Sequence, residues 1–251
     1  LQLSENVKDS GIALGLAEGW KETLREAIER TGWVKIPKHE SPQFEIMDES
    51  RSYTSANLRS VLTVGATVNL ALPVDAVTLP MTIAHETYPG HLLQKAYQAE
   101  AATPALRLLI SSTSNEGWAH YAEMRMGELG ITEGNSLDVG LAQRGLLRSA
   151  RFLACVGLAT GKMDNAAIFK LFKETVMLDT GGAQRETKRA QWDDKVIDYS
   201  MGRLALEQME HEFVARGMGD AVDFRHAALP IMSAPLDMVA KRLGLKKPKL
   251  A

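Results

Sequence analysis

The 251-residue chain is 45% hydrophobic, with a formal net charge of −2 and a pI near 6.4. That content can bury a substantial core, and the balanced charge gives no global drive toward nucleic acid or anionic membranes. A single cysteine, Cys155, excludes an intrachain disulfide framework, and no apolar run is long enough to span a bilayer.

Residues 11–31 place Leu14, Leu16, Trp20, Leu24, Ala27 and Ile28 at helical spacing before Gly32, which predicts an amphipathic helix. Strand candidates follow at 33–36 and 43–47. The β-branched run 61–70 predicts a strand or strand pair. Such a strand could align an extended substrate by β-addition, and an ordinary sheet strand fits it equally well. Pro73 and Pro80 lead into a long helix carrying His85-Glu86-Thr87-Tyr88-Pro89-Gly90-His91. Beyond Pro104, helices are predicted over about 105–129, 136–159, 164–178, 183–191, 193–216 and 235–243. Gly157, Gly161 and Lys162 fall one residue short of a phosphate loop, with Met163 where a hydroxyl belongs, so they mark a helix end. The tail Lys246-Lys247-Pro248-Lys249 reads as a solvated terminus. The pattern is mainly α, of an α+β kind: helix plus small sheet over 1–80, then a helical body over 81–251.

The 85–91 segment specifies chemistry most directly. Imidazole is a common zinc ligand, and an adjacent carboxylate such as Glu86 can act as a general base. In H-E-x-x-H the two histidines share a helix face. His85 and His91 are six apart, about 240° around a regular helix, and cannot share a metal on a straight one. Pro89 has no N–H for the carbonyl of residue 85 and forces a kink or bulge, while Gly90 tolerates irregular backbone. The helix is therefore expected to break there and return His91 to His85. A third ligand is expected from residues 114–123, where Glu116 and Glu123 lie on nearly one face. Glu116 is the expected ligand and Glu123 the partner of a ligand histidine's second nitrogen. His120, four residues after Glu116, is a further partner or a substitute ligand.

His85-Glu86-Thr87-Tyr88-Pro89-Gly90-His91-Leu92-Leu93-Gln94 resembles the H-E-x-x-P-G-H-H-L-Q signature of the bacterial domain-of-unknown-function family 885. The segment 115–123 is similar to that family's E-G-W-A-L-Y-A-E. Arg148, Arg151, the 186–189 segment, 199–202 and 223–229 match weaker family positions. The resemblance covers roughly 45–245 and implies a gluzincin-like metallopeptidase: a helical domain with a small antiparallel sheet near the active-site helix. It implies Zn2+ held by His85, His91 and Glu116. Leu92 stands where the family usually has a second histidine, and 155–159 departs from a D-T-G-x-H-like segment.

The resemblance also implies that 1–251 is a single catalytic domain, the C-terminal half of a longer architecture. A missing N-terminal half or a homo-oligomer would then complete the cleft. Glu86 is the expected general base, and Tyr199, matching a family-like tyrosine, the expected oxyanion donor, with His211 and Arg189 in reserve. Tyr88 and Trp118 are expected as core aromatics beside the site. The implied substrate is a peptide or small amide. The alternatives are a metal-dependent amidohydrolase acting on a non-peptide small molecule and a non-catalytic binding module. One cysteine suits the cytoplasm, whereas a start at Leu1 fits a removed leader or upstream domain, so the periplasm stays open.

Overall fold

Helix α1, Ser10–Thr31, buries Ala13, Ala17, Leu24, Ala27 and Ile28 as one stripe. Gly32 stops it at φ +64°, a left-handed conformation that costs other residues strain. The computed structural model describes residues 10–38, 77–131 and 135–249, together with short strands at 6–7, 56–58, 66–68 and 74–75. Strand β1 (Asn6–Val7) pairs antiparallel with β4 (Val74–Asp75), and β2 (Ala56–Leu58) with β3 (Ala66–Val68).

These ladders of two and three residue pairs are the whole strand content of the described residues. The expected α+β arrangement, with a small antiparallel sheet beside the site, is thereby corrected: the fold is essentially all-helical. Two strands alone are marginal, and the apolar faces of the body meet other helices, so no sheet layer is needed to cover them. The strand expected at 33–36 does not form either; Trp33 and Val34 are buried in irregular backbone. The 43–47 candidate and most of the 61–70 run lie outside the described residues.

The body consists of α2 (Leu79–Glu86), α3 (His91–Ala99), α4 (Pro104–Leu108), α5 (Ser112–Met124), α6 (Asn135–Ala159) and α7 (Asn165–Lys170). It continues with α8 (Thr180–Arg189), α9 (Val196–Ala215), α10 (Ala221–Ala228) and α11 (Leu236–Arg242). The helix expected over 105–129 is two helices and a short 3-10 turn, because Leu109 turns extended and Ser111 caps the N-terminus of α5. Helix α10, absent from the sequence reading, opens with a reciprocal capping box between Asp220 and Asp223. No helix of the described residues is long and apolar enough to cross a membrane.

One close crossing sets the frame of the site. A side chain at Gly117 would bring its Cβ within 2.5 Å of the Gly202 Cα, and one at Gly202 within 2.2 Å of the Thr113 carbonyl oxygen. Helices α5 and α9 therefore meet backbone to backbone. The main core gathers around them, with Trp118, Tyr121, Leu24, Ile28, Leu92 and Phe224 fully buried. A second, smaller core forms from Ala150, Ala154, Ile168, Phe172, Val176 and Ala183 on α6, α7, the following π-helical turn and α8.

Candidate metal centre

The helix carrying the histidines is broken. Helix α2 ends at Glu86, the Tyr88–Pro89 peptide is cis, and α3 restarts at His91. Pro89 has no N–H for the His85 carbonyl, and the chain closes instead through a wide bond from Gly90 N–H to the Ala84 carbonyl, 2.9 Å. Gly90 is required for space rather than for a left-handed backbone: a Cβ there would lie 1.9 Å from the His85 carbonyl oxygen. Its φ is −82°. The indole N–H of Trp118 donates to the Pro89 carbonyl at 3.0 Å and ties the break to α5. Trp118 and Tyr88 are both buried, as expected of core aromatics.

The break brings together one nitrogen from each histidine and one oxygen of Glu116, all within 4.8 Å of one another. The Glu116 Oε2 lies 3.3 Å from His85 Nε2 and 3.6 Å from His91 Nε2, yet is buried without a hydrogen-bond partner. The two imidazole rings meet edge to face, 4.7 Å between centroids. Ligands about 2.1 Å from a tetrahedral zinc are roughly 3.4 Å apart, so the spacing and the His2Glu donor set both fit such an ion.

The electrostatics agree. Burial acts to lower the His85 pKa, but the Glu116 and Glu123 carboxylates outweigh it and raise it. Burial acts to raise Glu116, and the two histidines pull it below the ordinary carboxylate range. Each shift expresses the attraction between the imidazoles and the carboxylates that face them.

Behind His85, its Nδ1 lies 3.3 Å from Glu123 Oε2. A carboxylate only accepts, so Glu123 can take a hydrogen bond from Nδ1, the arrangement that would leave Nε2 free for a metal. Glu123 is fully buried. Its Oε2 accepts from Arg148 and its Oε1 from Arg144 at 3.1 Å. Burial would raise the Glu123 pKa, but the two guanidiniums hold it well below the usual range.

Tyr199, in the first turn of α9, stacks on His85 with 5.8 Å between centroids. Burial, followed by the Glu116 charge, raises its pKa, so the phenol keeps its proton. His120 lies outside the ligand group. Its Nδ1 faces the Tyr199 carbonyl at 3.2 Å, and burial, then Arg148, depresses its pKa to about 3. The neutral ring therefore donates through Nδ1, leaving Nε2 buried without a partner. Glu86 is half-buried at the end of α2, and its charge reaches both His85 and Tyr199.

The two reserve donors have other surroundings. His211 is exposed 12 residues further along α9, about 18 Å from Tyr199 along the helix axis. Arg189 is ion-paired with Asp193 at 2.7 Å. Sequence reasoning missed the part played by Arg144 and the contacts of Arg148. Their four-residue spacing puts both on one face of α6, but Asp138, Gln143 and Arg151 lie on that helix too, so the spacing did not single them out.

The family model for "Bacterial protein of unknown function (DUF885)" matches residues 35–243. No curated protein matches the chain. Among solved structures, a provisionally assigned lipoprotein from Colwellia psychrerythraea is similar, with a TM-score of 0.81 and 20% identity, over 97% of this chain and 44% of that one. A provisionally assigned lipoprotein of unknown function from Shewanella oneidensis gives a TM-score of 0.81 and 18% identity, over 96% and 47%. The chain thus spans less than half the length of these two proteins, with which it shares a fold. By the match over residues 35–243, the chain belongs to the DUF885 family of bacterial proteins.

Proposed function

We propose that this chain is a zinc-dependent hydrolase that cleaves peptide bonds or closely related amides. The observation that carries the reading is the His85–His91–Glu116 cluster, with a buried carboxylate oxygen aimed between two imidazoles and no hydrogen-bond partner. In this reading His85 Nε2, His91 Nε2 and one Glu116 oxygen hold the ion. Zinc in such a site supplies Lewis acidity that polarises a carbonyl and makes water a competent nucleophile near neutral pH.

The chain's own groups do the rest. Glu86 follows His85 directly, stays partly open to solvent, and takes the proton from the attacking water before giving it to the leaving amine. Tyr199, its phenol kept protonated, donates to the developing oxyanion. Glu123 holds His85 in the tautomer that a ligand needs, and His120 tethers the Tyr199 backbone. Residues 1–251 as one catalytic domain, corresponding to the C-terminal half of a longer architecture, form part of the same proposal.

The test is cleavage of a peptide library by purified protein, before and after chelation and in Glu86→Gln. Chelator-sensitive cleavage that falls by about 10²- to 10⁴-fold in Glu86→Gln, with metal content unchanged, supports the reading. Cleavage that persists at wild-type rate in Glu86→Gln contradicts it.

A further inference from the structure

We propose that Arg148 is a positioning residue shared by ligand His85 and by Tyr199. The proposal rests on the metal-dependent reading above and concerns a group that touches neither the ion nor a substrate. Arg148, on α6, is 5% exposed. Its Nη1 donates to Glu123 Oε2, the same oxygen that lies 3.3 Å from His85 Nδ1. Its Nη2 is 3.4 Å from that His85 nitrogen. Its guanidinium carbon sits 4.9 Å from the centre of the Tyr199 ring, and that ring stacks on His85.

One planar group therefore closes a circuit of four side chains: Arg148 to Glu123, Glu123 to His85, His85 to Tyr199, and Tyr199 back to Arg148. Arg144 holds the other Glu123 oxygen at 3.1 Å, so the carboxylate cannot turn away from His85. The flat, forked guanidinium suits this place because it can donate at its edge while its face covers an aromatic ring. A lysine could restore the charge beside Glu123 but could not also present a planar cation to the Tyr199 ring.

The consequence is that metal affinity and the position of Tyr199 depend on one residue outside the ligand set. The experiment titrates metal-free protein with Co2+ alone, following its visible absorption, in wild type, Arg148→Met and Arg148→Lys; circular dichroism confirms folding. Arg148→Met is expected to bind cobalt about 10- to 100-fold more weakly, with an altered visible band, the range for lost partners of a ligand histidine. Arg148→Lys is expected to recover part of that affinity, which a merely structural role would not produce.

A folded Arg148→Met that binds cobalt with wild-type affinity and spectrum would overturn the proposal and leave the metal reading standing. Should Arg148→Met fail to fold, Arg148→Lys alone takes its place, with weaker cobalt binding than wild type and an altered visible band expected. Wild-type affinity in that variant would overturn the proposal equally. A wild-type chain that takes up no cobalt would instead remove the metal reading itself.

Discussion

Helix α5 carries charge networks toward both of its ends, and they are balanced differently. Near its C-terminal end, Tyr121 donates to Glu210, and Arg125 lies 3.4 Å from Glu210 and 2.7 Å from Glu128. Glu128 also accepts from Arg225 at 3.0 Å and from the Trp33 indole at 2.8 Å, while Arg225 lies 4.2 Å over the Trp33 ring. Each carboxylate there has a guanidinium beside it. Nearer the N-terminal end, Glu116 has no guanidinium beside it: it faces the imidazoles of His85 and His91 and the Tyr199 phenol, and its Oε2 has no hydrogen-bond partner. Glu123, one residue before the end of α5, is paired with two arginines yet also faces His85. A closed network tightens a fold; an open one keeps a place for a ligand.

The two ends can be struck together or one at a time. Gly117→Ala strikes both, because the new Cβ meets the Gly202 backbone, which has no flexible side chain to move aside. A loss of about 3 kcal/mol or more in urea denaturation is expected, with metal uptake lost as well. Glu116→Gln touches only the open end. It should weaken metal binding by more than about a hundredfold in calorimetric titration, beyond the usual cost of losing an outer partner. Stability of the metal-free protein should change by less than about 1 kcal/mol, since one unpartnered buried oxygen is relieved.

Glu128→Gln touches only the closed end. About 1 kcal/mol of stability should be lost, the partial exposure of Glu128 limiting the effect, with metal affinity unchanged. A change in metal affinity in this variant would mean that the two ends are coupled through α5.

The smallest effect is in pH dependence. Burial would raise the Glu128 pKa, but Arg125, the Trp33 indole and Arg225 hold it below the ordinary range; Glu123 is depressed by its own arginines. A carboxylate with a lowered folded pKa contributes stability that is fully present above its unfolded value of about 4.3 and lost as pH falls through the folded one. Wild-type stability should therefore decline on acidification below about pH 5, and the decline in Glu128→Gln should be shallower.

How much of this was legible in the sequence differs along the chain. The helix break was, because Pro89 cannot donate to the His85 carbonyl and the following glycine admits a close backbone approach. The meeting of His85, His91 and Glu116 followed from that break. The mainly helical character was legible too, but the sheet was not a sound expectation. Within the β-branched run 61–70 the described residues, 66–68, do form a strand, but it pairs only with 56–58 in a short ladder, which is not a sheet layer. The Gly117–Gly202 crossing was hidden because each glycine looks tolerated alone on its own helix, and only the partner explains it. The buried contacts of Arg144 and Arg148 were hidden for a related reason: nothing local on α6 tells an arginine that pairs with Glu123 from one that faces water.

The most direct measurement is metal content after purification with zinc supplied, compared between wild type and Glu116→Gln. One equivalent of zinc per wild-type chain, absent from a folded Glu116→Gln, is the expected result. A wild-type chain without stoichiometric metal, or equal occupancy in the two proteins, would contradict the assignment of His85, His91 and Glu116 as a metal centre.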